Sequence, residues 1–148
     1  MLALQVNRVV STDRLIDGLW GQDPPGNAVG TVQVYISRLR KALLSGSNSS
    51  RLEVQVHRRN PGYLLSLDPA DVDLRCHQQL VADAAQVSPT APSRAAELYR
   101  QAVELWRGAP LAEFAALPFA QAEIPRLAEE RLTAVTGKVQ ADLALGRH

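Results

Sequence analysis

Five basic side chains in the front half of the chain have the types and the spacing to bind a polyanion. They fall in two short segments, Arg38, Arg40 and Lys41 in TVQVYISRLRKAL and then Arg58 and Arg59 in RRNPGYLL. A guanidinium can pair with phosphate or with the acceptor edge of guanine through two hydrogen bonds, and an ammonium binds phosphate as a point charge. These segments therefore favour recognition of an anion over the breaking of a bond.

The first segment has the periodicity of an amphipathic helix. Its apolar residues recur at intervals of three and four, at Val29, Val32, Ile36, Leu39 and Leu43. This spacing predicts one buried face and leaves the basic side chains to water. A solvated helix face is the ordinary interpretation of such charges. The second basic segment, about twenty residues later, favours contact with a DNA groove and its phosphates.

The preceding residues predict a helix that would support the basic one. Ser11 stands before an acidic first turn and predicts a helix start, with Leu15, Ile16 and Leu19 facing inward. Before it we expect the tail of a helix and then a turn at residues 6–10. A breaker-rich loop, GQDPPGN, separates the two predicted helices.

The second basic segment has the pattern of a hairpin. Leu52, Val54 and Val56 alternate with polar residues, which predicts a strand with one apolar face. Asn60-Pro61-Gly62 is the predicted turn, and YLLSL is the returning strand. Helix, loop, helix and hairpin in this order are typical of a winged helix-turn-helix.

Beyond an acidic, proline-containing boundary at residues 68–73 the pattern is entirely helical. Helices are predicted over residues 74–87, 95–106 and 119–145. The apolar face of the last is expected at Ile124, Leu127, Leu132, Val135, Val139 and Leu143. Small alanines at close-packing positions and a Leu-Tyr pair resemble tetratricopeptide units.

Composition is ordinary for a soluble globular protein, with 46% apolar and 21% charged residues among 148. The net charge of +1 conceals an asymmetry. Residues 1–67 carry eight Arg and Lys against four Asp and Glu, whereas residues 68–148 carry eight against eleven. This favours phosphate contact by the front half and a different partner for the back half. The chain has no apolar run of roughly 18 residues and no secretory signal at its start, so we expect a cytoplasmic location.

No group of residues has the spacing of a catalytic or metal site. Cys76 is the only cysteine, which excludes an internal disulfide and a cysteine metal cluster. His57, His77 and His148 are scattered, and each is expected to be at the surface or half-buried. The glutamates of the back half are expected to lie on solvated helix faces and not to form paired acid/base carboxylates. We therefore predict no enzyme activity, no metal and no cofactor.

The two halves together resemble a known family. NRVVSTDRLIDGLWGQDPPGNAVGTVQVYISRLRKAL followed by RRNPGYLL closely resembles the winged helix of the actinobacterial antibiotic regulatory proteins, a branch of the OmpR/PhoB-type DNA-binding domains. DVDLRCHQQLV, AAELYRQAVELWRGAPLAEF and FAQAEIPRLAEERLTAV resemble the bacterial transcriptional activator domain that follows it in that family. The resemblance covers nearly the whole chain.

A mainly α fold in two domains is what the resemblance implies. Residues 1–67 would form an OmpR/PhoB-type winged helix-turn-helix, truncated at its N-terminus and without the family's N-terminal sheet. Residues 72–148 would form a tetratricopeptide-like bacterial transcriptional activator domain, truncated at its C-terminus.

The resemblance also implies roles for single residues. The helix that carries TVQVYISRLRKAL would lie in the major groove, with Arg38 as the base-reading arginine. The other implied contacts to phosphate or groove edges on this helix are Thr31, Gln33, Tyr35, Ser37, Arg40 and Lys41. Arg59, next to Arg58 at the tip of the hairpin, matches the wing residue that enters the minor groove.

The implied function is sequence-specific transcriptional activation. The partners would be double-stranded DNA with promoter direct repeats, RNA polymerase, and a second copy of the chain on DNA, with no membrane and no small-molecule substrate. The alternative is a truncated helical-repeat module that binds a protein and has no DNA binding of its own.

Overall fold

The structure, a computed structural model, describes residues 1–46 and 54–146. The chain divides into two compact units. The first, here the front unit, contains Met1–Asp71 and Ala115–Gln121. The second, the helical unit, contains Val72–Phe114 and the residues from Ala122 onward.

In its described residues up to Asp71, the front unit has two helices and three short strands. In chain order they are β1 (Val9–Ser11), α1 (Thr12–Trp20), α2 (Ala28–Gly46), β2 (Gln55–Arg59) and β3 (Gly62–Ser66), with 3-10 turns at Leu2–Gln5 and Pro69–Asp71. The predicted start of α1 is confirmed, since the Ser11 hydroxyl accepts a hydrogen bond of 3.1 Å from the Arg14 amide. This satisfies one of the amides that have no partner within the first turn of the helix.

The three strands form one antiparallel sheet in the order β1-β3-β2. The predicted hairpin is confirmed, with Val56 opposite Leu65 and a turn at Asn60-Pro61, whose peptide bond is cis. The turn predicted at residues 6–10 is wrong at its end, because Val9–Ser11 is strand β1 and Val10 lies opposite Tyr63. Three residues are too few to show an alternating pattern, and their partner strand is far away in the sequence. Leu52 lies outside the described residues.

Helix α2 rests on α1 and on β2 through a narrow apolar strip. Val32 and Ile36 are buried, as predicted, and Leu43 is half-buried. Val29 and Leu39, which the same pattern placed on the buried face, are exposed. Val29 is in the first turn, beside the exposed 22–27 loop, and has no neighbouring layer to cover it.

The helical unit is built from three helices, as predicted. They are α3 (Asp73–Val87), α4 (Pro92–Glu104) and α5 (Pro118–Ala144), with a 3-10 turn at Ala112–Phe114. Helices α3 and α4 pack together across a four-residue connection, which is typical of antiparallel neighbours. The core of the unit consists of Ala84, Ala95, Ala96, Leu98, Tyr99, Ala102, Ala134 and Ala141.

Helix α5 buries four small residues, Ala120, Ala134, Gly137 and Ala141, and exposes most of its large apolar ones. Leu127 is buried as predicted, but Leu132, Val135, Val139 and Leu143 are exposed, so their predicted inward face is wrong. The reason is the close approach of the Tyr99 ring, which projects from α4. A Cβ on Gly137 would lie 2.4 Å from Cζ of Tyr99, which leaves no room there for a larger side chain. The exposed residues form what we call the α5 stripe.

His77 is a buried polar residue of the helical unit. Its exposed fraction is 2%, so the prediction of a surface or half-buried histidine is wrong for this residue. With the ring protonated on Nε2, Nδ1 accepts from Trp106 Nε1–H at 3.1 Å and Nε2–H donates to the Glu130 carbonyl oxygen at 3.3 Å, while the Ala102 carbonyl oxygen lies 3.0 Å from Nδ1. These partners offset the cost of burying an imidazole. His57 is half-buried, as predicted, and His148 lies outside the described residues.

Candidate nucleic-acid interface

Helix α2 presents a continuous exposed face opposite its buried strip. Each residue turns the helix by about 100°, so side chains two positions or six positions after Val32 point away from the core. We call this surface the α2 outer face, and its members are Thr31, Val34, Ser37, Arg38 and Lys41. All are exposed except Thr31, which is half-buried. Arg38 and Lys41 are therefore exposed to water, as the sequence predicted.

The remaining candidates on α2 lie on its flanks. Tyr35 stacks its ring on Trp20 of α1 at a centroid distance of 6.2 Å. Its ring is thus held in place by the fold, while the residue keeps 45% exposure. Gln33 is exposed on the opposite flank, the side that also carries Arg40.

Thr31 takes part in the hydrogen bonds at the N-terminus of α2. The Asn27 side-chain oxygen accepts from the Gly30 amide at 3.1 Å, and the Thr31 hydroxyl donates to the Asn27 carbonyl at 3.0 Å. These bonds satisfy polar groups of the first turn and fix where the helix begins. The Thr31 hydroxyl proton is accordingly already engaged.

The hairpin places two arginines at its outer end. Arg58 lies opposite Tyr63 and Arg59 opposite Gly62, and both arginines are exposed. Successive residues of a strand point to opposite faces of the sheet. One arginine therefore projects from each face of the hairpin tip, and a groove approached from one face would meet one of them first.

Basic side chains are used differently in the two units. The six ion pairs found among the described residues all lie in the helical unit: Arg100 with Glu97 and Glu104, Arg107 with Asp73, Arg126 with Glu123 and Glu130, and Lys138 with Asp142. The hydrogen bond from Arg100, supported by one from Gln101, lowers the pKa of Glu97 to about 2. Four of the seven described cations of this unit are thus paired with its own carboxylates.

The front unit shows the opposite arrangement. Within the described part of the chain, Arg38, Lys41, Arg58 and Arg59 form no ion pair, and Arg38 does not pair with Asp13 or Asp17 of α1. Exposed cations without carboxylate partners produce a positive field that attracts phosphate.

Val34 belongs to this surface although the sequence interpretation passed over it. It lies in the middle of the α2 outer face with 47% exposure. An exposed aliphatic side chain on a groove-facing helix can contact the methyl group of thymine. A helical projection centred on Val32 would have found Val34, whereas a search for charged residues could not.

The fold and the surface together define a class of protein. A helix with an unpaired cationic face, followed by a basic hairpin on a three-stranded sheet, is a winged helix-turn-helix of the DNA-binding kind. Comparison with known families agrees. Residues 1–65 match the family described as "Transcriptional regulatory protein, C terminal", and residues 72–148 match "Bacterial transcriptional activator domain".

Individual relatives carry both parts. The chain is 34% identical over 152 residues to the regulatory protein DnrI of Streptomyces peucetius, covering 100% of this chain and 56% of DnrI. It is 36% identical over 150 residues to the regulatory protein AfsR of Streptomyces coelicolor, covering 99% of this chain and 14% of AfsR. The chain belongs to the antibiotic-regulatory family of bacterial transcriptional regulators.

A solved structure has the same fold. Mycobacterium tuberculosis EmbR, determined in complex with a low-affinity phosphopeptide, superposes with a TM-score of 0.86 at 30% identity over 99% of this chain and 38% of that one. The chain thus spans about half of DnrI and a smaller share of AfsR and EmbR. Among the described residues, no helix is both long and apolar enough to cross a membrane.

Proposed function

We propose that the chain binds duplex DNA sequence-specifically through its front unit and contacts the transcription machinery through its helical unit. Helix α2 would lie in the major groove with its outer face toward the bases, and the β2–β3 hairpin would reach the neighbouring minor groove. The observation that carries this proposal is the set of exposed, unpaired cations on α2 and the hairpin. On promoter direct repeats, two copies of the chain would bind side by side.

The dimensions and the chemistry of the α2 outer face support this arrangement. The major groove, about 12 Å wide, admits one α-helix. The face combines an arginine able to read guanine, a valine able to contact thymine and a lysine able to bind phosphate. The core of a protein–protein interface is, by contrast, depleted in charged residues.

Binding should depend steeply on salt concentration. The full chain is used to select duplexes from a random-sequence library, and the affinity for the selected duplex is then measured by fluorescence anisotropy at several salt concentrations. With Lys41 and one hairpin arginine on phosphates, the plot of log affinity against log salt should have a slope of about −2 or steeper. Selection of no duplex, or a slope near zero, would refute DNA binding and leave the protein-interaction alternative.

The α5 stripe favours a protein partner for the helical unit. Leu132, Val139 and Leu143 are each more than half exposed, and Val135 adds to the same face. The free energy of transfer from water favours covering such a surface with another apolar surface. A phosphate group would not be stabilised by contact with this apolar surface. By the chain's family membership, the partner we propose is RNA polymerase.

Polar substitutions in the α5 stripe should separate activation from DNA binding. We expect the double variant Leu132→Ser, Val139→Ser to keep the wild-type affinity for the selected duplex, because both side chains are exposed and belong to the helical unit. Transcription from a reporter promoter with two copies of that duplex should fall severalfold. Gln86→Ser, on the exposed surface of α3, is the matched control and should change neither quantity. Unchanged activation by the double variant would rule out the stripe as a contact surface.

A further inference from the structure

Arg40 makes a hydrogen bond that joins the two DNA-facing elements. Its Nε–H donates to the Val56 carbonyl oxygen at 2.8 Å, so a side chain of α2 is bound to the backbone of β2. Sixteen positions separate the two residues. Val56 itself is buried, and Arg58 and Arg59 follow it on the same strand.

The hydrogen bond is made at the edge of β2 that does not pair with β3. Among the described residues β2 is an edge strand, with β3 on one side and no strand on the other. In an antiparallel ladder, alternate backbone groups of an edge strand point away from the neighbouring strand and need another partner. Arg40 supplies a donor at this edge. The flank of α2 that carries Arg40 is thereby occupied by the hairpin, whereas Arg38 and Lys41 remain on the outer face.

We propose that Arg40 is a positioning residue, which fixes the hairpin relative to α2 so that both reach DNA together, and is not a phosphate contact. The proposal rests on the proposed DNA binding of the front unit. An edge strand without this bond would be free to shift, and the two arginines at its end would shift with it. The loss of affinity for DNA would then come from weaker contacts at the minor groove, although Arg40 itself would touch neither groove.

Two uncharged variants isolate the hydrogen bond from the charge. Glutamine carries an N–H donor on the same carbon, Cδ, to which arginine attaches Nε, so Arg40→Gln keeps the donor and removes the positive charge. Methionine has a similar length and places a methyl group at that position, so Arg40→Met removes both. A positioning role predicts that Arg40→Gln binds the selected duplex within about twofold of wild type, while Arg40→Met binds about tenfold more weakly.

The salt slope distinguishes this role from a phosphate contact. A phosphate contact predicts equal losses for both variants and a slope smaller by about one. Equal losses, or no loss in either variant, would overturn the proposal. Failure of the wild-type chain to select any duplex would instead overturn the proposed function, so the two failures are distinguishable.

A double-mutant cycle tests whether Arg40 acts through the hairpin. We expect the effects of Arg40→Met and Arg59→Ala on affinity to be clearly less than additive, because each removes the same hairpin contact. The effects of Arg40→Met and Arg38→Ala should add. Arg40→Met should also weaken the preference for A·T pairs at the flanking minor-groove positions, which a general loss of stability would not do. Additivity with Arg59→Ala would refute the positioning role.

Discussion

Replacing Arg38 by alanine should weaken binding to the selected duplex by about 1–3 kcal/mol and relax the preference at one base pair. Arg38 is exposed on the α2 outer face and has no carboxylate partner among the described residues. Its guanidinium is therefore free to pair with the O6 and N7 atoms of a guanine. Repeating the selection with the variant, and comparing base frequencies with those of the wild-type chain, measures both effects.

Lys41→Ala is the matched control for Arg38→Ala. Lys41 lies one helical turn further along the same face, and its ammonium suits a phosphate and not a base edge. We expect it to weaken binding to every duplex similarly and to lower the salt slope by about one. If both variants lost affinity equally on all sequences, Arg38 would have no base-reading role.

Replacing Gly62 by alanine should destabilise the front unit by about 3 kcal/mol or more. A Cβ at this position would lie 1.9 Å from the Val10 carbonyl oxygen and 2.6 Å from the Ser11 Cα. Both atoms are backbone atoms of β1, the strand that pairs with β3 at this point. They cannot move aside without separating the strands, so the added methyl group breaks the sheet and with it the support of the hairpin.

Gly26→Ala serves as the control, since a Cβ there meets no atom within 4 Å. Chemical denaturation of both variants gives the free energy of unfolding, and hydrogen exchange of the β3 amides locates the change in the front unit. We expect Gly26→Ala to differ from wild type by less than about 0.5 kcal/mol. A Gly62→Ala variant with wild-type stability and protected β3 amides would show that β1 does not approach β3 so closely.

The fold was predictable where neighbouring residues determine it. The hydroxyl cap at Ser11, the spacing of Val32 and Ile36, and the proline turn after Arg59 are local signals, and the elements that they predicted are present. β1 was not predictable in this way, because its partner lies more than fifty residues away and leaves no periodic signal in three residues.

Which face of a helix is buried was harder to predict from the sequence than where the helix lies. Helix α5 has apolar residues on two sides, and helical spacing alone cannot say which side a neighbour will cover. Here Tyr99 selects the side with Gly137, because only small residues allow its ring to approach. The burial of His77 was not predictable for a related reason. The carbonyl oxygens that lie next to its ring belong to α4 and α5, far away in the sequence.

For the candidate interface, the sequence predicted a group of basic side chains. It did not predict which of them point outward and which bind another element of the fold. Arg38 and Arg40 are two positions apart and chemically identical, yet one points outward and the other is bound to β2. That difference depends on a strand sixteen residues further on.

The central place of β3 in the sheet has a consequence for how the protein is made. β3 is the last strand of the front unit in the chain, and both β1 and β2 pair with it. The Asn7 side chain also bonds to the backbone of Leu67, sixty residues away. A growing chain therefore cannot close this sheet until Leu67 has left the ribosome. The α3–α4 hairpin pairs neighbours in sequence and should form within microseconds of its emergence.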